Sequence, residues 1–123
     1  MILAGIALAG AVGAPCRYLL DRFVQSRVAA RSRIPWGTIA VNVSGSLALG
    51  LLTGAALYHA FPATPRLILG TGFCGAYTTF STFTVETVRL LEEGALTEAL
   101  ANVGISTLAG TGAAALGLAV MAR

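Results

Sequence analysis

The side chains of this 123-residue chain that could do chemistry are hydroxyls, phenylalanine rings and a few amides, set in strongly apolar surroundings. The densest stretch is residues 72–84: Gly72-Phe73-Cys74-Gly75-Ala76-Tyr77-Thr78-Thr79-Phe80-Ser81-Thr82-Phe83-Thr84. Five of its thirteen residues are Thr or Ser and two are Gly, inside a segment long enough to cross a membrane. A helix in lipid satisfies its own backbone and has little use for such a run. Polar, glycine-interrupted backbone at membrane depth is tolerated where it is buried in protein or lines a watery path. The run therefore marks a place where something polar sits inside the bilayer.

Two further polar rows have helical spacing. Thr38, Asn42 and Ser46 lie four apart, as do Asn102, Ser106 and Gly110, so each set shares one helix face. Phe80 and Phe83, three apart, project to nearly the same side of the third segment. Polar stripes within apolar spans face the bundle interior or a cavity. Interhelical hydrogen bonding uses the same residues, and the pattern alone leaves both readings open.

Other chemistry has little to stand on. No nucleophile–base pair, phosphate loop or metal-ligand spacing occurs, so the chain does not read as an enzyme. Cys16 and Cys74 fall in apolar segments without CxxC or Cys/His spacing and read as small buried side chains. His59 is the single His and lies at a loop edge. Asp21 follows the first apolar segment and Glu86 is near the end of the third. A proton-coupled transporter needs an ionisable group at depth, and no carboxylate stands at mid-span. That argues against a small drug/proton antiporter. A purely structural subunit would leave Asn42 and the Thr/Ser run without a purpose.

The elements that must position these residues are membrane helices. Hydrophobic residues make up 56% of the chain and charged ones 11%, against roughly 25% charge in soluble domains. Mean hydropathy is +0.81. All eight basic residues are Arg. They do not form the basic, aromatic-interleaved face that single-strand binding requires, so no nucleic-acid partner is expected. Four spans are drawn, at residues 2–20, 36–58, 67–88 and 99–121, each near the ~20 residues that cross a bilayer. The first lacks a basic leader and a cleavage motif and reads as a mature helix rather than a signal peptide. The connections, 21–35, 59–66 and 89–98, are short, so residues 1–123 read as one four-helix transmembrane domain. Glycines at four-residue spacing, such as Gly50 and Gly54, with Gly5, Ala9 and Gly13, allow close helix packing. So small a bundle is expected to oligomerise.

Three stretches together resemble the Fluc/CrcB family of small fluoride channels. They are Gly13-Ala14-Pro15-Cys16-Arg17-Tyr18; Pro35-Trp36-Gly37-Thr38 through Asn42 to Gly45; and Gly72-Phe73-Cys74-Gly75 with Thr78-Thr79-Phe80-Ser81-Thr82-Phe83. The resemblance implies an all-α integral membrane fold with a broken third helix, in an antiparallel, dual-topology dimer with two pores. It implies passive export of fluoride through the cell inner membrane or plasma membrane. Asn42, Phe80 and Phe83 would line the anion path, with the hydroxyls of Ser81, Thr82, Thr38 and Ser106. Backbone carbonyls of Gly75 and Thr78 from both subunits would hold a structural sodium ion. Arg17 would serve a vestibule or a structural role. The chemistry is coherent: an aromatic ring has a positive edge, and an Asn amide offers two N–H donors. Neither holds an anion as tightly as a buried Arg, and conduction requires that the ion leave. Many relatives place a Tyr where this chain has Asn102.

The arginines bear on orientation. With alternating loops, Arg17, Arg22, Arg27, Arg31, Arg33 and Arg89 fall on one side and Arg66 and Arg123 on the other. That bias favours a cytoplasmic location for the first and third loops. An antiparallel homodimer needs both orientations, so the partner is either a second copy that overrides the bias or an oppositely inserted homologue.

Overall fold

A computed structural model describes residues 1–28 and 31–123. The chain runs α1 (Ile2–Val28), α2 (Trp36–Tyr58), a short α3 (Ala63–Leu67) passing into a π-helical stretch (Ile68–Cys74), α4 (Gly75–Tyr77), α5 (Ser81–Glu92) and α6 (Leu96–Met121). Helices α1, α2 and α6 are each long and apolar enough to cross a membrane. The third predicted segment is present as α3 through α5, broken at residues 78–80.

Helix α2 keeps the expected bounds, 36–58, because its ends are written locally. Pro35 precedes its first residue, and Gln25 Oε1 accepts the Gly37 N–H at 3.4 Å. At the other end the Ala55 carbonyl accepts the N–H groups of His59 and Phe61, and Pro62 follows. Helix α1 departs from expectation. The charged stretch read as a connection from residue 21 is helical as far as Val28. Its arginines lie back over aromatic rings one turn earlier: Arg22 over Tyr18 at 5.7 Å and Arg27 over Phe23 at 5.0 Å. Long basic side chains can cover apolar surface and keep their charge at the interface, so Arg does not end the helix. Helix α6 begins at Leu96, three residues before the expected 99.

The packing relies on absent side chains. A Cβ on Gly13 would lie 2.5 Å from the Phe73 carbonyl oxygen, and one on Gly72 would lie 2.7 Å from that of Ile6. Only glycine lets α1 and the π-helical stretch come so close. Helices α2 and α6 form the most extensive pair in the same way, with Gly117 against Leu47 and Gly50 against Ala114. The α5–α6 turn uses Gly94 at φ 74°, a left-handed conformation suited to glycine. There Ala95 N–H bonds the Leu90 carbonyl at 2.8 Å, and Leu90, Ala95 and Ala99 bury one another.

The buried set is small, chiefly Ile39, Val41, Ala55, Cys74, Leu90, Ala95 and Ala99. Many large apolar residues lie outside, among them Leu8, Leu19, Leu100, Leu108 and Leu116. In lipid such exposure is the ordinary state of a spanning helix. The two ends are tied by polar contacts: His59 Nε2 with the Met121 carbonyl at 2.8 Å at one, Arg33 with Glu93 at the other.

Candidate functional site

The site is built around the interruption between α4 and α5. Thr78 leaves the helix at φ −78°, ψ 160°. The next peptide is caught by a side chain from α2. Asn42 Nδ2 donates to the Thr79 carbonyl at 2.8 Å, and the Thr79 N–H donates to Asn42 Oδ1 at 2.8 Å. The Asn amide thus presents the donor and acceptor that a neighbouring peptide would.

The consequence for the freed backbone follows from helix geometry. In an unbroken helix the N–H of residue i bonds the carbonyl of residue i−4, so Thr79 would serve Gly75 and Thr82 would serve Thr78. Here Thr79 N–H goes to Asn42, and Thr82 N–H goes to Thr79 Oγ1 at 3.2 Å. The carbonyls of Gly75 and Thr78 are among those freed at the break, and theirs are the ones whose helical donors go to side chains instead. They fit a hard, oxygen-seeking cation in donor type, and Gly75 is exposed on the subunit surface. The Thr78 hydroxyl points elsewhere, donating to the Cys74 carbonyl at 2.8 Å.

The segment before the break is braced against α2 as well. Tyr77 and Ser44 hydroxyls are 2.7 Å apart, and the Tyr77 ring stacks on Phe73 at 5.5 Å. Gly45 leaves room for Thr78 and Tyr77 to lie against α2.

Two cavities whose largely apolar walls carry polar side chains meet at this point. The first, about 350 Å³, is lined by Asn42, Ser46, Thr79, Phe80, Phe83 and Ser106, with Leu49, Thr78 and Thr107 completing it. The Phe80 and Phe83 centroids are 5.8 Å apart with the planes tilted by 39°. Phe80 is 78% exposed on the single subunit. The second cavity, about 210 Å³, is lined by Arg17, Tyr18, Asp21, Thr38, Thr79 and Thr82, with Val41. Thr79 belongs to both. A third, about 410 Å³, shares Asp21 with the second and reaches Glu86, Arg89, Arg33 and Glu93 near the end of the subunit.

The sequence-predicted residues therefore divide. Asn42, Phe80, Phe83 and Ser106 come together at the first cavity, with Thr78. Thr38, Thr82 and Arg17 gather at the second. Ser81 stands outside both linings, its hydroxyl 3.3 Å from Thr79 Oγ1. Asn102, fully buried, instead joins α6 to α5: its Nδ2 donates to Thr87 Oγ1 at 2.9 Å, and its Oδ1 accepts from Ser106 at 3.4 Å.

Sequence reasoning missed Thr79, Ser44 and Tyr77 as site residues, and gave no role to Glu86. Thr79 lay inside the singled-out run, but nothing in one dimension separates it from Thr78. Glu86 Oε2 is buried and finds no hydrogen-bond partner among the described residues. Glu86 lines the third cavity, close to the end of the subunit. Its end-of-span position hid that.

The match to known proteins covers nearly the whole chain. The family model for CrcB-like protein, Camphor Resistance (CrcB), matches residues 4–118. Fluoride-specific ion channel FluC 1 of Streptomyces avermitilis is 54% identical over 114 residues, covering 92% of this chain and 90% of the relative. Fluoride-specific ion channel FluC 1 of Frankia casuarinae is 52% identical over 121 residues, covering 94% and 92%. Fluoride-specific ion channel FluC 2 of Cutibacterium acnes is 46% identical over 125 residues, covering 100% and 99%. This chain belongs to the CrcB-like family, a family of multi-pass membrane channels rather than enzymes.

Proposed function

We propose that the chain forms a fluoride-selective channel that lets cytoplasmic fluoride leave the cell passively. The observation that carries this reading is the first cavity, where the Phe80 and Phe83 rings converge with the Asn42 amide beside a helix break. The names of the relatives supply the ion.

A small, strongly hydrated anion needs replacements for its water that do not trap it. Positive ring edges provide weak, oriented attraction. Asn42 spends one of its two N–H groups on Thr79, which leaves one for the anion. The hydroxyls of Ser106 on one side, and of Thr38 and Thr82 on the other, line the path and can reorient toward an anion. Arg17 in the second cavity contributes positive charge, moderated by Asp21 beside it. Hydrogen fluoride enters a cell from acid surroundings and dissociates inside, and the membrane potential then drives the anion outward.

The working unit in this reading is an antiparallel pair of subunits, two identical copies or one with an oppositely inserted homologue, in a cell membrane. The carbonyls of Gly75 and Thr78 would meet their counterparts there and hold a sodium ion. When bound, the ion supplies fixed positive charge to otherwise unpaired carbonyls, as a structural element and not as transported cargo.

The test is flux from liposomes. Purified protein in vesicles loaded with potassium fluoride should release fluoride when valinomycin carries the compensating potassium. Release of chloride at an equal rate, or no fluoride release, would overturn the proposal.

A further inference from the structure

We infer that Thr79 is the positioning residue of the conduction path, holding the helix break in register with the anion cavities through its peptide and its hydroxyl. The inference rests on the proposed channel reading and assigns a role that reading does not contain.

Thr79 is bonded on every polar atom. Its N–H and its carbonyl are both taken by the Asn42 amide, each at 2.8 Å. Its Oγ1 accepts the Thr82 N–H at 3.2 Å, donates to Thr82 Oγ1 at 3.1 Å, and lies 3.3 Å from Ser81 Oγ. A hydroxyl that accepts an N–H three residues ahead is doing the work of a helix cap. Phe80, just before α5, has helical dihedrals and offers no side-chain cap of its own. Thr79, one residue ahead, supplies it.

Placement gives this bonding a functional meaning. Thr79 lines both the 350 Å³ and the 210 Å³ cavities, so it stands in the partition between them. Phe80 follows it directly, and the Phe80 ring takes its direction from the same short segment. The diverted N–H groups of Thr79 and Thr82 are also what leaves the Gly75 and Thr78 carbonyls without helical donors. One residue thus sets the partition, the start of α5 and the open carbonyls. A Val in its place would keep shape and β-branching and lose only the hydroxyl. The peptide clasp would survive, but the first turn of α5 would lose its acceptor.

The experiment compares Thr79→Val, Thr79→Ser and wild type in the intact protein. Fluoride flux is measured in liposomes, and exchange of the Thr82 backbone amide is measured by NMR in the same detergent-purified samples. Thr79→Val is expected to lower flux at least about tenfold and to speed Thr82 exchange about tenfold, the equivalent of ~1.4 kcal/mol and within the range for a lost hydroxyl cap. Thr79→Ser is expected to restore both to within about twofold of wild type, since it keeps the oxygen. If Thr79→Val does not elute as a monodisperse species, Thr79→Ala takes its place with the same two measurements. Unchanged Thr82 protection, near-normal flux in the hydroxyl-free variant, or equal impairment in the Ser variant would each overturn the assignment. The amide exchange stands apart from the channel reading: a wild-type protein that passes no fluoride defeats the proposed function, while Thr82 still reports whether the hydroxyl holds the break.

Discussion

Phe80 and Phe83 are the residues on which the anion chemistry turns. Their value lies in the ring edge and not in bulk. Replacing either by Ile keeps apolar volume and removes the quadrupole. Each single variant is expected to lose fluoride flux by at least tenfold, roughly the effect of ~1.4 kcal/mol at a transport barrier, while still eluting as the intact assembly. Normal flux in both would return the rings to ordinary packing. Asn42 is a different kind of residue. Its amide is partly consumed in holding Thr79, so its removal would disturb the break as well as the path. Asn102 lies outside both cavity linings and bridges to Thr87 and Ser106, which gives it a role in joining helices.

At the scale of elements, glycine decides how closely the helices approach. A Cβ at Gly117 would lie 2.6 Å from the Leu47 carbonyl oxygen and 2.7 Å from the Leu51 nitrogen, both backbone atoms that cannot swing away. Gly117→Ala is therefore expected to weaken the α2–α6 pair by ~1–3 kcal/mol, the usual cost of overpacking. At Gly112 a Cβ meets nothing within 4 Å in the subunit. Gly112→Ala should be neutral, or stabilising by up to about 1 kcal/mol through helix propensity. Thermal unfolding in detergent, followed by loss of the monodisperse peak, separates the two. Equal shifts in both variants would mean that close approach of α2 and α6 is not what the glycines provide. The break itself is an element-scale device: two N–H groups diverted to side chains interrupt the helix without leaving those donors unpaired.

The whole molecule presents its apolar surface outward and the broken segment at its side, with Gly75 exposed. In the proposed antiparallel pair, two such segments cross and their carbonyls face one cation. Unpaired carbonyls in a dry interface would each cost about 1–3 kcal/mol. Prolonged dialysis into a bulky organic cation is therefore expected to abolish flux or loosen the pair, and restored sodium should reverse it. Unchanged activity and assembly in samples shown to contain no sodium would refute the structural-ion proposal. The arginine bias gives the two ends different character. Arg33 pairs with Glu93 at one end, and His59 meets the Met121 carbonyl at the other. A pair of opposed subunits would present both characters on each side of the membrane.

The membrane class, the span of α2 and the polar run at residues 72–84 were legible in the sequence, because each has a local cause; the break within that run was implied by the family resemblance. Hydropathy reports burial in lipid. Pro35 and Pro62 flank α2, and the Thr, Ser and Gly of residues 72–84 make a continuous apolar helix a poor choice. The end of α1 was not legible, because a run of arginines looks like a loop until Tyr18 and Phe23 are seen beneath Arg22 and Arg27. Helical spacing put Thr38, Asn42 and Ser46 on one face but could not say what faced each of them. The fold sends Asn42 and Ser46 to one cavity and Thr38 to the other, with Thr79 between. Above all, the bond that defines the site joins residues 37 positions apart in the chain. Residue type and period are properties of one helix. Which amide meets which peptide is decided only when α2 and the broken segment pack against each other.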